Sequence, residues 1–264
     1  MNVGKSIRMK RIFDQRTKKT VMIPMDHGIT LGPAKGLENV REVMRCAIEG
    51  GANALIMHKG IVKDCYVNCA RASGLIIHLS ASTSLSADPD YKILLTTPDE
   101  ALSLGADAIS VHVNVGSEKE HQMLLDAGMV SRRCEYLGLP MLAMMYPRGK
   151  NIHNQYDPDL IAHVCRVGAE MGADVVKTNY TGDPDTFKRV VRGCPVPVLV
   201  AGGLRTSTDT ELLENIGGAM EAGAAGVAIG RNVFMHEAPA LMVHRICAVV
   251  HDGLSPEEAM DIRV

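Results

Sequence analysis

The feature that most constrains this fold is a repeat. A Gly-Ala step followed by an apolar run occurs four times: Gly51-Ala52 before 53–57, Gly105-Ala106 before 107–111, Gly172-Ala173 before 174–176 and Gly223-Ala224 before 225–229. Between these lie apolar runs of a second kind, at 21–25, 75–79, 140–145 and 196–201. The two kinds alternate along the chain and supply eight strand candidates. Continuous apolar runs of this length suit parallel strands buried on both faces. The glycine of each step suits the left-handed position just past a helix, from which the chain enters the next strand. Amphipathic stretches at 37–49, 158–171, 209–222 and 239–250 fill the gaps as helices.

This pattern predicts an α/β fold: a single (β/α)8 TIM barrel with a short N-terminal lead-in and a C-terminal helix. The length of 264 residues is close to the roughly 250 typical of such a barrel and predicts one domain, 1–264. The basic lead-in at 1–19 is read as a helix capping the barrel bottom. Ser255-Pro256-Glu257-Glu258 reads as a capping box, so the terminal helix is expected to run to the chain end. The alternative is an open, doubly wound sheet. It would place G-x-G-x-x-G after the first strand, and Asp26-His27-Gly28-Ile29-Thr30-Leu31-Gly32 has the wrong spacing.

Net charge is -2 and the pI is about 6.5. Neither points to nucleic acid or an anionic membrane as partner. The apolar runs are strand-sized, and residues 1–19 have no apolar core of a signal peptide. Seven scattered cysteines without a C-x-x-C pair read as reduced thiols of a cytoplasmic protein. With no Trp and three Phe, the core must be aliphatic, and the 16 Met help to fill it.

In such barrels, chemistry sits at the C-terminal strand ends. There polar residues interrupt the apolar runs: Asp26-His27, His58-Lys59, His78, His112, Tyr146-Pro147-Arg148, Lys177-Thr178-Asn179, Gly202-Gly203 and Gly230-Arg231. Lys177 is the most informative. Strand alternation puts Val175, Lys177 and Asn179 on one face, which the closed barrel turns inward. A lysine there loses hydration, which favours the neutral, nucleophilic amine; from position alone, a buried ion pair is an equal alternative. Tyr146 shares a face with Leu142 and Met144 and serves either as a proton relay or as a packed ring. Asp26 serves as a general base, an N-cap, or a partner for Lys59 or Arg148. Gly202-Gly203 and Gly230-Arg231 end the seventh and eighth strands, where barrels bind phosphate on backbone N–H groups, and Thr206, Ser207 and Thr208 would add donors. His27, His58, His78 and His112 support a rival, a metal-dependent aldolase or hydrolase, although no H-x-H or H-x-x-E-H spacing occurs. A sugar-phosphate sensor would leave Lys177 and Tyr146 without a task.

Residues 21–28, 57–62, 111–117, 144–149, 176–178, 200–203 and 230–232 together resemble the archaeal-type 2-amino-3,7-dideoxy-D-threo-hept-6-ulosonate synthases, within the archaeal-type class I fructose-bisphosphate aldolase family. The likeness runs from Arg11 to the last helix, and Asp-His-Gly and Met-Tyr-Pro-Arg-Gly are its more specific parts. It implies a Schiff-base transaldolase that condenses 6-deoxy-5-ketofructose 1-phosphate with L-aspartate 4-semialdehyde and feeds 3-dehydroquinate and aromatic amino acid biosynthesis. Matched position by position, it implies Lys177 as the Schiff-base lysine, Tyr146 as proton donor and Asp26 as proton acceptor. It further implies substrate binding by Asp26, His27, Gly28, Ile29, Thr30, Tyr146, Pro147, Arg148, Lys177, Gly202, Gly203, Gly230 and Arg231. No cofactor is expected beyond the covalent Schiff base on Lys177, and no metal. Leu204-Arg205 departs from the Pro-Lys expected after the double glycine, while keeping a cation there. Class I fructose-1,6-bisphosphate aldolase is the nearest alternative activity. The resemblance also implies a homo-oligomer, a ring of five doubled to ten.

Overall fold

A computed structural model describes residues 2–66, 72–203 and 206–263. Cys69, Leu204 and Arg205, on which the sequence placed expectations, lie outside the described residues.

Eight parallel strands close into a barrel: β1 (Thr20–Pro24), β2 (Ala54–Met57), β3 (Gly74–His78), β6 (Ala108–Val115), β7 (Met141–Pro147), β8 (Val175–Asn179), β9 (Val198–Ala201) and β10 (Gly226–Ala228). Closure is direct, because β1 pairs with β2 on one edge and β10 on the other, with Met22 opposite both Ala54 and Ala228. That pairing excludes the open sheet. Two further short strands, β4 (Ser80–Ala81) and β5 (Ile93–Leu94), form an antiparallel hairpin in the loop after β3.

The Gly-Ala steps do what their chemistry suggests. Gly51, Gly105, Gly172 and Gly223 have φ between 86° and 94°. The alanine N–H after each reaches back to a carbonyl five residues earlier: Ala52 to Ala47 at 3.0 Å, Ala106 to Ala101 at 3.1 Å, Ala173 to Gly168 at 3.2 Å and Ala224 to Ala219 at 3.0 Å. This back-bonding satisfies the last carbonyls of a helix and turns the chain into the next strand.

Side chains alternate between two cores. Those facing the helices include Val21, Ile23, Leu55, Ile77, Ile109, Val176 and Val200. Those inside the barrel are Met22, Ala54, Ile56, Ile76, Ala108, Leu142, Met144, Tyr146, Val175, Leu199 and Ala228. Helix α1 (Val3–Ile12) plugs the bottom, and Ile12 joins the interior core at 1% exposure. Full burial of such a side chain stabilises by ~1.5–3 kcal/mol. Lys5 ties α1 down through ion pairs to Glu135 at 2.8 Å and Asp174 at 2.9 Å.

Two helices end earlier than the pattern suggests. Helix α11 (Pro239–Cys247) passes into one π-turn over Ala248–Asp252, closed by Gly253 at φ 72°. The C-terminal helix α12 (Pro256–Met260) has the full Ser255/Glu258 capping box, but stops at Met260 rather than at the chain end. No helix among the described residues is long and apolar enough to cross a membrane.

Candidate active site

The packed interior stops short of the C-terminal strand ends, leaving a cavity of about 330 Å³. Its walls bring together Asp26, His27, Ile29, Thr30, Tyr146, Arg148, Lys177, Gly202, Gly203, Gly230 and Arg231. Two expected binding positions lie elsewhere. Pro147 is buried in the ladder opposite Val115, and Gly28 opens the short helix α2 (Gly28–Leu31), where a Cβ would meet nothing within 4 Å.

Lys177 sits on β8 level with Met144 on one side and Leu199 on the other. The same alternation that buries Val175 in the interior core turns Lys177 into the cavity wall at 7% exposure. Among the described residues no carboxylate lies within ion-pair distance of its ammonium, so the ion-pair alternative is not what the fold builds. Tyr146 lies on β7 two residues beyond Met144, which raises it ~6.6 Å towards the strand ends. Its ring is held between His112, 5.0 Å away, and the Arg148 guanidinium, 4.7 Å from its centroid. That clamp fixes the phenol's direction.

Asp26, at the end of β1, is only 14% exposed at its side chain. His78 Nε2 lies 3.7 Å from one carboxylate oxygen and His27 Nδ1 lies 3.3 Å from the other. The His27 approach is too poorly aligned for a hydrogen bond, so Nδ1 is a buried nitrogen without one. Burial alone would raise the Asp26 carboxyl. The neighbouring His27, with His78 and the Lys177 ammonium, overrides that and holds it well below the usual carboxylate range. Asp26 is therefore an ionised carboxylate facing the same cavity as the lysine. It does not pair with Lys59, whose ammonium binds Glu100 at 3.0 Å.

His58, His78 and His112 act as neutral polar supports. Burial pushes His78 down to about 4, against a smaller opposing pull from Asp26. Burial likewise lowers His58, and lowers His112 well below the imidazole range with help from Arg148 and Lys92. His78 Nδ1 meets Ser110 Oγ at 2.8 Å. If that nitrogen accepts, the proton is left on Nε2, facing Asp26. Asn114 donates to the Asp90 carbonyl at 2.7 Å, so its oxygen accepts from His112 Nε2 at 2.8 Å. Among the described residues, no group of three or more His, Cys, Asp or Glu side chains has an arrangement that could hold a metal ion.

The glycine ends of β9 and β10 form the far wall. Glycine at 230 is a matter of space, because a Cβ there would meet the His27 ring at 2.7 Å and the Pro24 carbonyl at 2.8 Å. Arg231 donates to the Gly203 carbonyl at 2.6 Å, while its Nε is buried without a partner among the described residues. An unpaired buried donor beside open backbone suits an anion. Thr206, Ser207 and Thr208 do not add donors to the cavity. The Thr206 N–H and hydroxyl bind Asn232, the Ser207 N–H binds Glu211, and Thr208 caps helix α9 (Asp209–Glu221).

Two contributors escaped the sequence reading. Ser110 supports His78 from 32 residues away, a pairing only barrel register creates. Lys92 reaches the same cavity from the β4–β5 hairpin; its one signal was a charge set among apolar neighbours, Tyr91 and Ile93-Leu94.

Comparison with known proteins agrees with this geometry. The family model described as DeoC/LacD family aldolase matches residues 20–236. The chain is 42% identical over 259 residues to 2-amino-3,7-dideoxy-D-threo-hept-6-ulosonate synthase 1 of Archaeoglobus fulgidus, covering 98% of this chain and 95% of that protein. It is 37% identical over 250 residues to the 2-amino-4,5-dihydroxy-6-oxo-7-(phosphonooxy)heptanoate synthase of Streptomyces griseus, covering 95% of this chain and 91% of that protein. A solved archaeal fructose-1,6-bisphosphate aldolase, with its catalytic Lys covalently bound to the carbinolamine intermediate, superposes with a TM-score of 0.87. The two chains are 31% identical, with 93% of this chain and 99% of that one covered.

Proposed function

The chain belongs to the DeoC/LacD family of aldolases, and we propose that it is a transaldolase making 2-amino-3,7-dideoxy-D-threo-hept-6-ulosonate from 6-deoxy-5-ketofructose 1-phosphate and L-aspartate 4-semialdehyde. It is a class I, Schiff-base enzyme. One observation carries the reading: Lys177 is buried in the barrel wall, free of any ion pair among the described residues, and shares one cavity with Asp26 and Tyr146.

The product's connectivity dictates the chemistry. Its carboxylate, amine and methylene belong to the acceptor, so the new bond joins its fourth and fifth carbons. The electron sink must then be the product's sixth carbon, the donor ketone beside the methyl group. Lys177 Nζ attacks that ketone, and Tyr146 gives the departing oxygen a proton as water is lost and the iminium forms. Asp26 takes the proton from the hydroxyl on the donor's third carbon. The bond between the donor's third and fourth carbons then breaks, its electron pair reducing the iminium to an enamine. A three-carbon aldehyde leaves, carrying the phosphate. The enamine carbon next adds to the aldehyde of aspartate semialdehyde, whose oxygen is protonated, and water hydrolyses the new iminium to free Lys177. Gly202, Gly203, Gly230 and Arg231 hold the phosphate, while His27, Ile29 and Thr30 line the donor's path.

The test is turnover of both substrates with product mass. The expected product is the seven-carbon amino acid. Cleavage of fructose 1,6-bisphosphate to dihydroxyacetone phosphate and glyceraldehyde 3-phosphate, with no seven-carbon product, would instead make the chain a fructose-bisphosphate aldolase. We further propose a cytoplasmic, single-domain subunit (1–264) of a homo-oligomer, because helix α6 (Glu120–Leu137) exposes Leu125, Met129 and Tyr136.

A further inference from the structure

The cavity has a second cationic pole that the chemistry above leaves unused. Lys92, just ahead of β5, is half-buried on the cavity wall. Its ammonium donates to Ser82 Oγ and, at 2.7 Å, to the Pro89 carbonyl, and its backbone N–H approaches Met123 Sδ at 3.4 Å. The side chain is therefore held in place. Among the described residues, neither it nor Arg148 has a carboxylate at ion-pair distance, and Arg148 spends its guanidinium only on the Tyr146 ring. Burial, and next the Arg148 charge, push the Lys92 ammonium below its ordinary value. Asp90, Asp88 and Asp26 offset this only in part, so two cations on one wall favour an anion that joins them.

The phosphate pole lies further round the barrel, although the Arg231 guanidinium is pushed below its ordinary value by burial and next by the Arg148 charge. Lys92 lies on a hairpin anchored to β6 by the Ser80 hydroxyl, which accepts from the His112 N–H at 2.9 Å, and Arg148 follows β7. Gly202 and Arg231 follow β9 and β10, and β8 with Lys177 lies between the two pairs in the barrel circuit. The donor brings one anionic group and the acceptor another. With phosphate at the glycine pole, the acceptor's carboxylate is left for the other.

We propose that Lys92, together with Arg148, forms the subsite for the carboxylate of the acceptor aldehyde and so selects an amino acid aldehyde over a neutral one. The proposal rests on the transaldolase reading and adds its specificity element. Arg148 offers a planar fork and Lys92 a point charge, a pairing that suits two carboxylate oxygens.

The test is steady-state kinetics of the full-length enzyme, wild type against Lys92→Gln and Lys92→Arg. Gln keeps a donor for Ser82 and Pro89 while removing the charge. The expected result is a KM for aspartate semialdehyde at least tenfold higher in Lys92→Gln, with the ketosugar phosphate KM within twofold and recovery in Lys92→Arg. Butanal, which lacks the carboxylate, should be used equally by all three proteins. Equal rises in both KM values, an unchanged acceptor KM, or a matching loss on butanal overturns the assignment. Borohydride trapping of the donor on Lys177 shows whether each variant is folded, and a Lys92→Gln that traps no donor also counts against it. Wild-type enzyme inactive on aspartate semialdehyde overturns the functional reading itself, and the carboxylate assignment with it.

Discussion

Asp26 and His78 share one buried corner, and their charges are set by it. In the unfolded chain His78 titrates near 6.5; in the fold burial holds it at about 4. Between these values the unfolded state binds the extra proton, so stability is fully present above about 6.5 and is lost as pH falls toward 4. His58 and His112 shift in the same direction. The depression of His78 alone is worth ~3 kcal/mol. Thermal melts should therefore show an acid limb across this window, flatter in His78→Gln; an unchanged limb would contradict the assignment. Tyr146→Phe keeps the ring between His112 and Arg148 and removes only the hydroxyl that carries the proton, so kcat should fall by ~10²–10⁴-fold with little change in melting temperature. Lys177, Tyr146 and Asp26 were legible because each interrupts or ends an apolar run. Ser110, Lys92 and the neutral state of His58, His78 and His112 were not, since partners 32 residues apart meet only through barrel register.

The elements divide along the same line. The Gly-Ala step wrote its own geometry into the sequence, because a left-handed residue and a back-bonded alanine are local requirements. Gly105 has φ 86°, and a Cβ at this position would find nothing within 4 Å, so Gly105→Ala meets no clash. It should cost only the left-handed penalty, ~1–2 kcal/mol in urea unfolding, with activity unchanged. Lys5→Ala removes the ammonium that α1 offers to Glu135 and Asp174, leaving Asp174, only 10% exposed, partly unpaired. A loss of ~3–5 kcal/mol is expected, again without effect on donor trapping at the opposite end of the barrel. The β4–β5 hairpin was illegible for the opposite reason. Two-residue strands carry no periodicity, and this one exists because it packs on β6.

At the scale of the whole molecule, the barrel sets Lys177 between the glycine ends of β9 and β10 and the wall that carries Lys92 and Arg148, and seals the opposite end with α1. The exposed face of α6 adds a prediction about assembly. Tyr136, 80% exposed, and Met129, 51% exposed, should be covered by a second copy. Light scattering should give a homo-oligomer, with ten subunits as the expected number, and Met129→Glu should shift it to smaller species; a monomeric wild type would contradict this. The central claim, a covalent intermediate on Lys177, is tested most directly by intact-protein mass after borohydride reduction with 6-deoxy-5-ketofructose 1-phosphate. The account predicts one donor-derived adduct per chain, mapped to the peptide holding Lys177 and absent in Lys177→Ala. An adduct on another lysine, or full turnover by Lys177→Ala, would contradict it.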